Sequence, residues 1–565
     1  MGLKAGMLCA AALFSLSGCA TTSANSTASS TADGNAFWRN ATVYFLMTDR
    51  FANGDPSNDR AVPQPAAPGV LRGFEGGDIR GVTQRIEEGY FNALGVDAIW
   101  TTPVITNVRG SVEEGDWGRT YAYHGYWPLD WTSVDPRFGS EADFAQMVRT
   151  AHAHNLRVFA DVIINHAGPV TDAGDPRWPD SWVRPSNACT HVTFATATAC
   201  ELSFTLQDIR TESDAPVEVP AFLVERWRAE GRLDLEMAEL DAFFARTGYP
   251  RAPRYYIIKW LTDWVRDYGI DGFRVDTAKH VEPEIWAVLK REAEIALADW
   301  RARNPRRLAH DRPFYMVGEV FNFGLANFDR SRGRFYDYGD RNVDFYTQGF
   351  DALINMGFPT HATQPIADQY ALYDRELRLG EFAGHGVLNY IASHDDHQPL
   401  DPARRNIREN ATRLLLSPGA AQIYYGDEVA RSLVIPRTRG DATLRSMFDW
   451  NAVRTNASIL DHYQRLGRFR QAHVALGAGR HIEISRAPLV FGRVMEGNEG
   501  TDRIVAAIGL SSGAVRIPVG EIFAEDEQLR DAYSGEVTRV TGGHANLQNA
   551  SDVVLLERAT QQRRQ

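Results

Sequence analysis

The chain reads as an α/β protein: a (β/α)8 TIM barrel, a subdomain inserted after the third strand, and a C-terminal antiparallel β-sandwich domain. Three observations predict this. Eight short apolar runs alternate with amphipathic helical stretches, the rhythm of parallel βα units, and eight is the number that closes a barrel. Between Asn165 and Tyr255 lie about ninety residues without that rhythm, too long for a structureless loop in a compact domain. Beyond Arg468 the pattern turns to short alternating runs separated by Gly and Asn, the mark of antiparallel strands.

Length and composition are compatible with this plan. The chain has 565 residues and 44% hydrophobic content, enough for a barrel core and accessory regions. A formal charge of −12 argues against nucleic acid as a partner. The 13 Trp read mainly as core packing, with a minority available to stack on sugars.

Each segment follows in order. Lys4 precedes an apolar stretch, 7–14, too short to span a bilayer and typical of an export signal. Leu16-Ser17-Gly18-Cys19 resembles the lipobox of bacterial lipoproteins, which implies cleavage before Cys19 and its lipidation. Ala20 after it implies the outer membrane rather than inner-membrane retention. Residues 1–18 are thus expected as signal peptide and 19–36 as a flexible tether rich in small polar residues. The barrel is expected over 37–166 and 251–467, the inserted subdomain over 167–250, and the β domain over 468–565. Strands are predicted at 43–48, 98–101, 158–164, 272–275, 314–317, 352–356, 387–392 and 422–425. Helices are predicted at 144–154, 256–268, 282–304 and 404–416. With Cys9 and Cys19 in the export segment, Cys189 and Cys200 remain. They form a disulfide in an oxidising compartment, or stand as two free thiols.

Three acidic residues end three apolar runs: Asp276 in GFRVD, Glu319 in YMVGE and Asp395 in NYIASHD. A carboxylate at the end of a buried strand needs compensation. Parallel barrel strands deliver such ends to one face, where a proton donor and a nucleophile for glycoside cleavage can meet. Arg274 and Asp276 are two apart on a strand and point the same way, so the guanidinium favours an ionised carboxylate.

The motifs DVIINH (161–166), GFRVDTAKH (272–280), Gly318-Glu319 and Ser393-His394-Asp395 occur in this order, with Tyr123-His124-Gly125-Tyr126-Trp127 upstream and Leu206-Gln207-Asp208-Ile209 between. Together they resemble the signature regions of the α-amylase family of glycoside hydrolases, over about 41–450. The stretch WVRDYGIDGFRVDTAKHVE is similar to its periplasmic members from Gram-negative bacteria. The resemblance implies Asp276 as nucleophile, Glu319 as general acid/base and Asp395 as the third carboxylate. It implies His124, Tyr126, His166, Arg274, Lys279, His280 and His394 as substrate ligands. It implies calcium as cofactor, held by Asn165, Asp208 and the His280 carbonyl where barrel and subdomain meet. A second calcium site resembles that of cyclodextrin-forming relatives: Asn53, Asp55, Asn58, Asp59, Gly76 and Asp78. A plain Asx-rich turn explains the same residues. Gln207 stands where many relatives have Pro, and Ser393 where chloride-dependent ones carry Asn.

The implied function is retaining endo-hydrolysis of α-1,4-glucosidic bonds in starch and maltodextrins by a monomeric, exported, periplasmic or outer-membrane lipoprotein. A transglycosylase or a cyclodextrin-degrading enzyme is the nearest rival. A non-catalytic glycan-binding lipoprotein is the remote one; its mark would be a lost nucleophile or acid, and neither is lost.

Overall fold

In a computed structural model of the chain, the described residues are 36–559, apart from 204, 306–311, 397 and 498–499. The export segment, the tether and Cys19 lie outside the described residues.

Each of the eight apolar runs is a barrel strand. They are β1 (Thr42–Leu46), β2 (Ala98–Thr101), β3 (Arg157–Val162), β4 (Gly272–Val275), β5 (Tyr315–Gly318), β6 (Ala352–Asn355), β7 (Gly386–Asn389) and β8 (Ala420–Tyr424). Every strand pairs in parallel with its sequence neighbours, and β8 closes on β1. Apart from one position in β3, all these residues are buried. That is why the runs read as apolar without alternation: one face meets the barrel interior and the other meets helices. Gly272 is required where β4 enters, because a side chain there would collide with the Tyr315 carbonyl and the Phe159 ring. The seventh run was expected to continue to 392, but the ladder ends at Asn389. From there the buried segment Tyr390–Ala392 leads to Asp395.

The helices hold their ends by local chemistry. Ser140 and Asp143 form a capping box on helix Glu141–Ala153. Helix Pro253–Tyr268 starts with proline and ends at left-handed Gly269.

Between β3 and helix Pro253–Tyr268 the long interval carries helices Ala195–Thr198, Ala221–Ala229 and Leu233–Thr247. A two-residue ladder pairs His166 with Asp208 and ties the excursion to the barrel mouth. Trp178, Trp182 and Trp227 pack with Trp131 and Trp260 of the barrel, the Trp182 and Trp260 rings lying stacked 5.9 Å apart. These tryptophans are core. Trp117 is the one Trp that is largely exposed, at 48%.

The C-terminal strands run from Arg480–Arg486 to Val553–Arg558 as one eight-stranded antiparallel sheet. Residues from both ends of that strand order, such as Val490 and Ala545, share one core, so the sheet curls on itself. The expected boundary at 468 falls inside helix Ala457–Ala472. That helix belongs to the barrel side. Its buried Arg470 donates to the carbonyls of Asn40, Leu415 and Ser417, and Gly467 packs directly on Gly95.

Candidate active site

Arg274 organises the mouth of the barrel. Its Nη1 lies 2.9 Å from Asp161 Oδ1 and 2.7 Å from Asp276 Oδ1, while Nη2 lies 3.1 Å from Glu319 Oε2. Register explains the convergence. Arg274 sits opposite Asp161 in the β3–β4 ladder, and Asp276 and Glu319 are the first residues beyond β4 and β5. The ladder continues one step further, Asp276 N–H donating to Val162 O and Glu319 N–H to Val275 O. Thr277 N–H donates to Glu319 Oε2 at 2.8 Å. All four charged side chains are buried.

Three carboxylates thus share one guanidinium. Burial pushes the Asp276 carboxyl well up, and Arg274 opposes that shift. Burial lifts Asp161 to about 6, again against Arg274. Full ionisation would leave an uncompensated charge of −2 in a desolvated site, so the cluster favours keeping a proton.

Around this centre runs a cleft of about 520 Å³. Tyr126 donates its hydroxyl to Asp161 Oδ2 at 2.7 Å, and its ring stacks on His394 at 5.1 Å. His124 Nδ1 accepts from Tyr126 N–H at 3.0 Å, and His166 Nε2 donates to Tyr126 O at 3.1 Å. Burial lowers His124 and His394 well below the usual histidine value and His166 to about 4, so all three are neutral at pH 7. Neutral imidazoles both donate and accept, which suits sugar hydroxyls. Lys279 Nζ donates to Tyr336 OH at 3.2 Å, and burial lowers it to about 8. Asp395 sits beside His394, its Oδ1 3.6 Å from Nδ1, with 39% of its side chain exposed to the cleft. Every predicted catalytic and substrate residue lines this cleft except Arg274, which lies beneath it.

Comparison with known proteins agrees with this geometry. A family model described as "Alpha amylase, catalytic domain" matches residues 45–177. The periplasmic α-amylase of Escherichia coli (strain K12) is 34% identical over 504 residues, covering 79% of this chain and 69% of that protein. The chain belongs to the α-amylase family of glycoside hydrolases. A cyclomaltodextrin glucanotransferase of Thermoanaerobacterium thermosulfurigenes is 24% identical, covering 77% of this chain and 55% of that protein. The solved α-amylase of Geobacillus thermoleovorans in complex with acarbose shares the fold at a TM-score of 0.63 and 22% identity, covering 93% of this chain and 99% of that one.

Asp161 belongs to the site without having been among the expected site residues. It stands inside the quoted DVIINH motif, and a charge within an apolar run was its signal. Trp100 Nε1 also donates to it, at 2.9 Å. The cleft rim formed by Arg72, Trp117, Asp441 and Arg445 carried no local signal, since these residues come from unrelated loops.

The expected calcium ligands are partly brought together. Asn165 and Asp208 meet at the His166–Asp208 ladder, where Ile209 N–H donates to Asn165 O. Arg184 pairs with Asp208 Oδ2 and reaches Ile209 O and Glu212. Asp208 Oδ1 and Glu282 Oε2 are buried without a hydrogen-bond partner among the described residues. Burial lifts Asp208 to about 7, Arg184 opposing and Glu282 adding to the shift. Asp208, Glu212 and Glu282 outnumber the single guanidinium, so the donor set fits a divalent cation. The His280 side chain is committed elsewhere: Nδ1 donates to Ala197 O at 2.7 Å.

In the second loop, Asn53 Nδ2 donates to Asp59 Oδ1 at 2.9 Å, Asn58 Oδ1 is buried without a partner among the described residues, and Gly76 is left-handed against Asn53 and Asp59. Two expected ligands are occupied instead. Asp78 accepts from the backbone N–H groups of Gly54, Asp55 and Gly81 as the cap of helix Ile79–Glu87. Asp55 binds Ser57 and Arg80. Helix capping and a local turn use these carboxylates, because backbone donors lie within reach. Cys189 and Cys200 form the disulfide. Their sulfurs lie near His280, but a disulfide leaves no thiolate to bind a metal.

Proposed function

We propose that this protein is an endo-acting α-amylase that cleaves α-1,4-glucosidic bonds of starch and maltodextrins with retention of configuration. The observation that carries the reading is the sharing of one buried guanidinium by Asp276 and Glu319 beneath the cleft. Holding both on its two terminal nitrogens suits the close carboxyl spacing of a retaining enzyme, about 5–5.5 Å.

Asp276, its charge offset by Arg274 at 2.7 Å, attacks the anomeric carbon from one face. Glu319 acts as the general acid, delivering a proton to the glycosidic oxygen, and the leaving chain departs as an alcohol. Glu319, now a carboxylate, takes a proton from water. That water attacks the anomeric carbon and frees Asp276. Asp395 and the neutral His124, His166 and His394 hold hydroxyls of the sugar being cleaved, with Tyr126 as its stacking face. Asp161 keeps Arg274 and Tyr126 in place.

Asn165, Asp208 and the His280 carbonyl, with Glu282, would hold a calcium ion at the subdomain junction; Asn53, Asn58, Asp59 and the Gly76 carbonyl would hold another. Each would neutralise buried oxygens and stiffen a loop, and neither takes part in the chemistry. The name of the Escherichia coli relative and the apolar N-terminal stretch support export. The lipobox-like LSGC supports lipid attachment at Cys19. No helix among the described residues is long and apolar enough to cross a membrane.

A time course on soluble starch tests the function. A ladder of maltooligosaccharides, released first as α-anomers by proton NMR, is expected. Release of β-anomers, or of one short product alone from the outset, would refute retention or endo action respectively. Detergent phase partitioning tests the anchor: Cys19→Ser is expected to move the protein from the detergent to the aqueous phase.

A further inference from the structure

The Cys189–Cys200 disulfide closes a loop that brings His191 into the lining of the cleft. The loop is tied internally, the N–H groups of Thr190 and His191 both donating to Thr196 O at 3.3 Å. On its inner side, Ala197 O accepts from His280 Nδ1 at 2.7 Å, and the His191 ring meets the His280 ring edge-on at 5.2 Å. Phe194 N–H donates to Asp340 Oδ1 at 2.7 Å, and its ring packs on Tyr338 at 5.1 Å. Tyr338 in turn donates its hydroxyl to Lys279 O at 2.7 Å. The loop is therefore clamped on the two segments that carry Lys279, His280 and Tyr336 into the cleft.

His191 lines the same cleft, yet its Nδ1 is buried without a hydrogen-bond partner among the described residues. A polar atom in such a position calls for a partner, and in a wall that faces substrate a sugar hydroxyl supplies one. Ala278 N–H donates to Glu319 O at 2.9 Å, and Lys279 Nζ lies 5.3 Å from the Phe321 ring centroid, so the segment on which the loop is clamped runs beside Glu319.

We propose that the disulfide-closed loop is the outer wall of the leaving-group side, and that His191 on it binds a glucose hydroxyl of the departing chain. This rests on reading Glu319 as the acid, which fixes the side from which the chain leaves. The covalent closure limits the loop to conformations near this one, so it keeps His191 in the cleft wall and the Ala197 carbonyl on His280.

The test compares two substrates. A maltodextrin puts sugars on both sides of the cleavage point; maltotriosyl fluoride puts only fluoride on the leaving side. For the Cys189→Ser/Cys200→Ser double variant, KM for maltodextrin is expected to rise about five-fold, the worth of one hydrogen bond. Its kcat on the fluoride is expected to match wild type. His191→Ala, which leaves the disulfide intact, is expected to raise the maltodextrin KM similarly and His191→Gln to restore part of the loss, so the proposal stays open to test even if the double variant fails to fold. Unchanged maltodextrin KM in His191→Ala, or equal losses on both substrates, would overturn the proposal. A wild type inert on both would overturn the underlying reading, and the proposal with it.

Discussion

At the scale of residues, the functional reading depends on how three carboxylates divide one guanidinium. Asp276→Asn keeps size and hydrogen-bonding capacity but removes the nucleophile. Hydrolysis of starch is expected to fall by at least about 10⁴-fold, a loss typical for a nucleophile, with an unchanged melting temperature. Glu319→Gln is expected to lose starch hydrolysis yet still form the covalent intermediate from a glycosyl fluoride, because fluoride leaves without a proton. Burst kinetics would report this, and a variant that shows no burst on the fluoride would contradict the acid role. Asp161 touches no predicted reacting atom, but it fixes Arg274 and Tyr126 together. Asp161→Asn is expected to lower kcat about 10²-fold, the scale of a small misplacement at a reacting centre. It should also displace the pH–rate profile, because removing one carboxylate changes how the cluster shares its proton. A profile identical to wild type would make Asp161 a packing residue only.

At the scale of elements, the polar part of the joint between the barrel and its long excursion is left incomplete among the described residues. The two-residue ladder at His166 and Asp208 is short, and the buried oxygens of Asp208 and Glu282 lack partners among the described residues. A cation bound only by the folded state stabilises it in proportion to the logarithm of its free concentration over its dissociation constant. Chelation is therefore expected to lower the melting temperature and the activity together, and added calcium to restore both. Asp208→Asn is expected to flatten this response more than Asp55→Asn, because Asp55 is already committed to Ser57 and Arg80. Metal analysis with differential scanning calorimetry decides it: an emptied protein with an unchanged melting curve would remove calcium from the junction.

At the scale of the whole molecule, buried histidines set a stability curve with two arms. Burial lowers His166 and His462 to about 4, below their unfolded value of about 6.5. The unfolded chain then binds more protons than the folded one, so this stability is present above pH 6.5 and is lost as pH falls towards 4. Each contributes about 3 kcal/mol across that window. His473 behaves oppositely. Burial opposes its charge, but hydrogen bonds to Asp502 and Glu557 of the C-terminal sheet outweigh it and raise His473 to about 9. Its contribution is full below pH 6.5 and is lost as pH rises through 9. Melting temperature against pH is expected to fall on both sides of a neutral plateau. His473→Gln should weaken the alkaline arm and leave the acid arm in place, and an alkaline arm unaltered in that variant would show that the clip between helix and sheet contributes nothing.

The sequence by itself determined the barrel and the identity of its working carboxylates. Buried parallel strands must be apolar on both faces, so eight such runs are visible without coordinates, and Asp276 and Glu319 stand out because a charge directly after such a run needs a reason. What it left undecided depends on distance in sequence. Helix Ala457–Ala472 carried the barrel past the expected boundary because Arg470 finds its carbonyl partners around positions 40 and 417. Asp78 and Asp55 stood among the cation ligands that the resemblance implies, and only the fold shows that backbone donors also reach them. Asp161 gained its role only when β3 and β4 came into register. The cleft rim from Arg72 to Arg445 and the aim of the Cys189–Cys200 loop at His280 were decided by tertiary structure alone, because their contacts join segments that no local pattern connects.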